Sequence, residues 1–278
     1  RAGPRMQGWR RWDEGTHPQL CMTPTTAETI SQTPALLGRI SDRAFAQMVH
    51  LIWEANHRKD KRPGDPKVGG HPAACSSSAH LLTALHCAVR EPQDFIACKP
   101  HAAPIDHVIM SMLGLFSRPA PDFTWFTPEE IEARLSNLRK FSEAGEPVLQ
   151  SYHARSDPDC FHFFPSGSVG IPPVVSVYTA LAYRYARDHA SELPDVPANA
   201  HFWSMIGDSE LREGSLMEPM PDVAERELGN VTWIVDYNRQ NLDGARMPNK
   251  RGLHGTDAHR IQRLAEANGW EVIQVRHG

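Results

Sequence analysis

Strand-like and helix-like segments alternate along the second half of this chain. Strand-like runs near 201–206 and 231–235 are separated by a helical segment that ends near Leu228. A helix over 257–268 ends before Gly269, a residue type preferred just beyond a helix, and a further strand-like run follows over 270–275. Strands that alternate with helices at this spacing form parallel sheets through right-handed crossovers. The sequence therefore predicts an α/β fold, a parallel sheet with helices on both faces.

The first half adds helices and one strand to this pattern. Residues 1–35 are rich in Pro, Thr and Arg, so we expect an extended lead-in over 1–40 and one α/β domain over 41–278. Ser41 is the predicted N-cap of a helix that ends at the charged run 57–61. Further helices are predicted over 76–89 and 108–116, and a short strand over 94–98. The run from Thr127 to Glu130 has the pattern of a capping box, with proline at the first helical position.

Composition excludes several classes of function. A formal charge of −4 and a pI near 6.4 provide no basic surface for nucleic acid or anionic lipid. The five cysteines contain no CxxC pair, which favours a reducing cytoplasm over a disulfide framework. No uncharged run approaches membrane-spanning length. We therefore expect a cytoplasmic protein that binds a small molecule, with neither nucleic acid nor membrane as a partner.

Polar residues follow two successive predicted strands. Gly207-Asp208 comes directly after one strand, and Asn238 follows the next, 30 residues further on. Ligands of open parallel sheets bind beyond the carboxyl ends of the strands, so these residues are expected to share one ion. Carboxylate, amide and backbone carbonyl oxygens, from Asp208, Asn238 and Gln240, suit Mg²⁺ or Ca²⁺. The alternative is that Asp208 caps the following helix and Asn238 lies in a turn.

These motifs resemble those of the thiamine-diphosphate-dependent enzymes. Gly207-Asp208, Asn238, Gln240 and the following Leu-Asp-Gly resemble the diphosphate-binding motif of that family. Its details are most similar to those of the homodimeric pyruvate dehydrogenase decarboxylating component. Further matching segments occur in the same order: Gly69-Gly70-His71, Ser77-Ser78-Ala79, the His101 loop, Ser151-Tyr152, Gly170-Ile171-Pro172-Pro173 and the run from Gly269 to Ile273. The resemblance extends from about Ser41 to the end of the sequence. It implies the diphosphate-binding domain of a transketolase-like fold.

The resemblance implies a role for each matching residue. Asp208, Asn238 and Gln240 would bind Mg²⁺ or Ca²⁺. His71 and His101 would face the reacting atoms, where a neutral imidazole can stabilise charge or move protons. The residues expected to contact thiamine diphosphate are Gly207, Ser209, Glu210, Lys99, Val169, Gly170 and Ser78.

Several positions depart from the family pattern. Ser209 replaces the second glycine of the motif and would either donate a hydrogen bond to the cofactor or crowd it. Ala74 and Lys99 stand where a serine and a glutamine usually contact the cofactor. Pro219 and Pro221 require the helix after the motif to be kinked or to start later than in relatives.

The sequence has no counterpart of the family's pyrimidine-binding and C-terminal domains. We therefore expect either a second polypeptide that supplies them, in a heterotetramer, or a fragment of a longer chain. The predicted activity is decarboxylation of a 2-oxo acid and transfer of the acyl or two-carbon unit. One alternative is a transketolase-like or acyloin-forming subunit that uses a ketose or 2-oxo acid. Another is a non-catalytic interaction subunit with a degenerate cofactor site.

Cysteine and histidine residues also raise the alternative of a zinc site. Cys75, His80, His86 and Cys87 cluster in one predicted helix, and Cys98 and His101 form a CxxH pair. Their spacings match no known zinc-ligand pair, so the sequence favours buried core cysteines instead.

Overall fold

A computed structural model describes residues 27–59, 61, 63–64, 71–116, 124–136, 149, 152–153, 167–189, 196–239 and 257–276. Gln240 and the first two residues of the Gly69-Gly70-His71 motif lie outside these ranges. The helices are α1 (Ala27–His57), α2 (Pro72–Ala84), α3 (Ala103–Met112), α4 (Pro128–Ser136), α5 (Ile171–Asp188), α6 (Pro219–Glu225) and α7 (Asp257–Ala267). The strands are β1 (Phe95–Ala97), β2 (Phe202–Gly207) and β3 (Val231–Asp236). A π-helical turn, Leu85–Val89, extends α2.

The strands form a parallel sheet in the order β1-β2-β3. Phe95 lies opposite Phe202, which lies opposite Val231, and Gly207 lies opposite Asp236. The carboxyl ends of β2 and β3 therefore meet at one edge of the sheet, as predicted.

Helices cover both faces of the sheet. Met205 of β2 packs into a core built with α1, α2 and α3, which includes Met48, Leu82 and Ile109. Phe202, whose side chain points to the opposite face of the same strand, packs into a second core with Val177 of α5. The predicted α/β fold is confirmed. None of the described helices is long and apolar enough to cross a membrane.

The N-terminal helix corrects the predicted start of regular structure. Residues 27–40, assigned to the extended lead-in, are helical, and Pro34 lies inside α1. Ser41 is a buried residue in the middle of that helix rather than its N-cap. Among the residues of α1 whose burial is described, 33–57, the buried ones are Ser41 and residues that follow it, such as Ala44 and Met48. The packed segment that begins at Ser41 can nucleate the helix. Extension of the helix over residues 27–40 then has a small free-energy cost per residue, because propagation of a helix is far easier than its nucleation.

Two local predictions are confirmed. The Thr127 backbone N–H donates to Glu130 Oε2 (2.9 Å), and the Glu130 N–H donates to Thr127 Oγ1 (3.3 Å), which is the reciprocal capping box. The helix after the Gly207-Asp208 motif starts late, at Pro219, where proline is tolerated in the first turn.

The predicted strand over 270–275 is wrong. Gly269 follows α7 with φ of +80°, as expected for a residue after a helix, and residues 270–276 form neither helix nor strand and do not pair with the described strands. The Trp270 ring lies 4.6 Å from that of Trp233, and its Nε1–H donates to the Met220 carbonyl (2.8 Å). These contacts hold Trp270 beside the sheet, and Ile273 is exposed.

Candidate diphosphate and metal site

The site is built from the residues that follow β2 and β3. Asp208 comes directly after Gly207, the last residue of β2, and is 3% exposed. Its backbone N–H donates to the carbonyl of Asp236, the last residue of β3 (3.3 Å). The parallel pairing therefore continues for one bond past the end of β2 and places Asp208 beside the turn that contains Asn238.

The carboxylate of Asp208 is oriented by two backbone N–H groups. Oδ1 accepts from Ser209 (2.9 Å), and Oδ2 accepts from Arg239 (3.0 Å). Arg239 has φ of +61°, a conformation that few non-glycine residues adopt, and this turn points its N–H at Asp208. The structure thus brings Asp208 next to the residue that follows Asn238. Gln240 lies outside the described residues.

Asn238 is oriented through its side-chain nitrogen. Nδ2 donates to Ser77 Oγ (3.0 Å) and lies 3.4 Å from Asp236 Oδ2. Since the nitrogen makes these contacts, the amide oxygen is the atom that Asn238 would offer to a cation. A carboxylate and an amide oxygen on neighbouring strand ends are ligands suited to Mg²⁺ or Ca²⁺.

Asp236 is a site residue to which the sequence analysis gave no role. Its Oδ2 accepts from Lys99 Nζ in a buried ion pair and from the hydroxyls of Ser77 (2.6 Å) and Ser78 (2.9 Å). Lys99 and Asp236 are 4% and 5% exposed. A buried carboxylate needs such compensation, because desolvation of an unpaired charge costs several kcal/mol. Lys99 and Ser78, predicted to contact the cofactor, are therefore engaged by Asp236.

Glu210 connects the two glycine loops of the site. Its Oε1 accepts from the Gly170 N–H (2.8 Å) and its Oε2 from the Gly207 N–H (2.9 Å). Burial raises the pKa of Glu210, although these hydrogen bonds and Lys99 act in the opposite direction. Glu210 thus positions the backbone of the glycine loops. Val169, next to Gly170, is 39% exposed.

Backbone conformation and packing were compared at Gly207 and Ser209, the glycine and the serine of the motif. Ser209 has φ of −72° and ψ of −30°, an ordinary helical conformation, so serine replaces glycine there without backbone strain. A Cβ added to Gly207 would lie 3.7 Å from Glu210 Oε2 and 3.9 Å from Lys99 Cδ, which are ordinary contacts. Protein packing therefore leaves room for a side chain at Gly207, so contacts among the described residues do not require glycine there.

The two predicted catalytic histidines lie together. The rings of His71 and His101 are 4.4 Å apart in an edge-to-face arrangement, and the Tyr152 ring lies 6.0 Å from that of His101. Burial lowers the pKa of His101, and His71 and Lys99 lower it further. His101 is therefore neutral at pH 7, the form able to accept a proton.

The cysteines and histidines of the predicted zinc alternative do not converge as that alternative requires. Cys75 Sγ contacts the His101 carbonyl (3.3 Å), whereas His86 Nε2 contacts Asp106 (2.7 Å). A different set, Cys98, Asp106 and His153, comes together instead.

Similarity to solved structures defines the class of fold. The structure resembles transketolase from Leishmania mexicana with a TM-score of 0.60 and 16% sequence identity, over 86% of this chain and 32% of that one. Transketolase from Campylobacter jejuni gives a TM-score of 0.59 and 17% identity, over 84% and 32% of the two chains. The described residues therefore form a transketolase-like α/β domain.

Sequence similarity narrows this class. The chain is 29% identical over 235 residues to the pyruvate dehydrogenase E1 component of Mycolicibacterium smegmatis, covering 82% of this chain and 23% of that protein. It is also 29% identical over 219 residues to transketolase of Pongo abelii, covering 74% and 29%. No protein-family model matches the sequence. The chain thus spans about a quarter of the length of the curated relatives it matches. The predicted resemblance to thiamine-diphosphate-dependent enzymes is confirmed.

Proposed function

We propose that this chain is the diphosphate- and metal-binding part of a thiamine-diphosphate-dependent enzyme that decarboxylates a 2-oxo acid and passes on the acyl or two-carbon unit. The observation that carries the proposal is the position of Asp208. Its carboxylate accepts a hydrogen bond from the residue after Asn238, at the carboxyl ends of neighbouring parallel strands. The relatives support a cofactor of this kind, since they include a pyruvate dehydrogenase E1 component.

Each part of the site has a role in this proposal. Asp208, Asn238 and the Gln240 backbone carbonyl bind Mg²⁺ or Ca²⁺, and Gly207 and Ser209 lie beside the diphosphate. When bound, thiamine diphosphate supplies the carbanion chemistry, and the protein supplies orientation and charge. The His101 imidazole, neutral at pH 7, holds or moves a proton beside the reacting atoms. The His71 ring contacts the His101 ring edge to face.

The proposed enzyme also needs domains that this sequence does not match. A pyrimidine-binding domain and a C-terminal domain come from a second chain in a heterotetramer or from a longer form of this one. The match to about a quarter of each relative supports either arrangement. A transketolase-like carbon–carbon transferase is the second candidate function, since transketolases are among the relatives at the same identity.

Calorimetric titration with thiamine diphosphate and Mg²⁺ tests the site. Wild-type chain, with its partner chain where one is required, should bind the cofactor only when Mg²⁺ is present. Asp208→Ala should weaken binding by more than about 100-fold, because even residues behind the metal ligands change affinity by about 10–100-fold. The matched control is Asp222→Ala, which removes an aspartate of α6 that pairs with Arg226 (3.5 Å). Equal affinity of Asp208→Ala and wild type would exclude the ligand assignment. If the wild type does not bind the cofactor in the presence of Mg²⁺, either with or without a partner chain, a non-catalytic interaction subunit would be favoured.

A further inference from the structure

A second cluster of metal-ligand side chains lies in the core, beside the diphosphate site, because Cys98 directly precedes Lys99. Cys98 follows β1, Asp106 lies in α3, and His153 belongs to a short described segment between α4 and α5. Cys98, Asp106 and His153 are 1%, 0% and 1% exposed. Residues far apart in the chain thus place a thiol, a carboxylate and an imidazole together inside the protein.

The distances within the cluster are those of groups that can share one ion. Cys98 Sγ, an Asp106 carboxylate oxygen and a His153 ring nitrogen all lie within 4.8 Å of one another. Asp106 Oδ2 and His153 Nε2 are 2.8 Å apart. Around tetrahedral zinc, with bonds of about 2.0–2.2 Å to N and O, two such ligand atoms lie about 3.4 Å apart. Asp106 Oδ2 and His153 Nε2 would therefore have to move apart by roughly half an ångström to bind the same ion.

A buried carboxylate lies within the cluster. The Asp106 side chain is fully buried, where an ionised carboxylate is costly unless a positive charge or hydrogen bonds compensate it. His86 Nε2 lies 2.7 Å from Asp106 Oδ1, and Arg90 interacts with Asp106 electrostatically. Carboxylates that ligate metals are themselves hydrogen-bonded by neighbouring groups, which fixes their orientation, and His86 can do this for Asp106.

We propose that Cys98, Asp106 and His153 bind a Zn²⁺ ion, with His86 positioning Asp106. Thiolate and imidazole ligands select zinc over the Mg²⁺ or Ca²⁺ expected at Asp208, where the donors are oxygens. A water molecule fills the fourth position. Binding forms a Zn–S bond and releases the Cys98 thiol proton to solvent, with no change of oxidation state. This inference does not rest on the proposed function.

The test is a cobalt titration of the full chain after removal of metal by a chelator. One equivalent of Co²⁺ should produce a sulfur-to-cobalt charge-transfer band, which Zn²⁺ should abolish by displacement. Cys98→Ser should lose the band, and His153→Gln should bind Co²⁺ at least about 10-fold more weakly while it keeps Cys98. None of the residues assigned to the diphosphate site is a cysteine, so Co²⁺ bound there cannot produce this band.

Cys87→Ser is the matched control, because Cys87 is a half-buried cysteine outside the cluster. It should bind Co²⁺ as the wild type does, and circular dichroism should show that all variants are folded. Failure of the wild type to bind Co²⁺ or Zn²⁺ stoichiometrically would overturn the proposal and leave a hydrogen-bonded network. A band that persists in Cys98→Ser would overturn it as well.

Discussion

At Gly170, a left-handed backbone and a crowded Cβ position coincide. The residue has φ of +84°, and an added Cβ would lie 2.7 Å from Glu213 Cβ and 3.1 Å from Leu216 Cδ1. Its N–H also donates to Glu210, which ties this loop to Gly207. Backbone, packing and hydrogen bonding therefore all require glycine at the start of α5.

Gly170→Ala should destabilise the protein by at least about 2 kcal/mol. A left-handed backbone costs a non-glycine residue of order 1–3 kcal/mol, and overpacking adds a similar amount. Denaturant unfolding measures the difference. Gly214→Ala is the control, because nothing lies within 4 Å of its added Cβ, and it should change stability by less than about 0.5 kcal/mol. Equal effects of the two substitutions would contradict this account of Gly170.

At the scale of single elements, two patterns within one helix turn were confirmed, whereas the N-cap predicted at Ser41 was wrong because α1 begins earlier. The capping box of α4 was predicted from four consecutive residues, and both of its hydrogen bonds are present. The stop of α7 before Gly269 was predicted in the same way. Such signals depend on the geometry of neighbouring residues, so no distant contact is needed to interpret them.

Thr127→Ala tests the contribution of this cap to stability. Loss of the side-chain acceptor at an N-cap costs about 1 kcal/mol, and we expect the free energy of unfolding to fall by that amount. Ser136→Ala removes a hydroxyl from the other end of α4, where it donates to the Glu132 carbonyl (3.0 Å), and should change stability by less than about 0.5 kcal/mol. Chemical denaturation of both variants measures the difference, and an unchanged stability in Thr127→Ala would show that α4 is held by tertiary packing alone.

At the scale of the whole molecule, two half-buried histidines couple stability to pH. Burial lowers the pKa of His101, helped by His71 and Lys99. Burial also lowers the pKa of His201, although Asp94 opposes the shift. For each group the unfolded state binds a proton more readily than the folded state. The stabilisation is therefore present above the unfolded pKa of about 6.5 and is lost as the pH falls through the lowered folded pKa.

We accordingly expect the free energy of unfolding to decrease as the pH is lowered below about 6.5, and His101→Gln to reduce the slope of that decrease. Urea unfolding at a series of pH values measures how the free energy of unfolding depends on pH. His50→Gln removes an imidazole that is 68% exposed on α1 and should keep the wild-type slope. Glu210 acts in the opposite direction, because its raised pKa gives stability that is lost as the pH rises through that value. A slope unchanged in His101→Gln would exclude this histidine as a source of the pH dependence.

The local sequence determined most helices, the three strands and the residues that follow them. Periodicity and turn chemistry act over a few residues, and parallel pairing then carries Asp208 and Asn238 to one edge of the sheet. Only the tertiary structure decided which side chains hold Asp236, since its contact with Lys99 spans 137 residues. The same is true of the cluster around Asp106, which depends on β1, α3 and the His153 segment meeting in one core. No spacing rule encodes such contacts, because they form only after distant segments have packed together and excluded water.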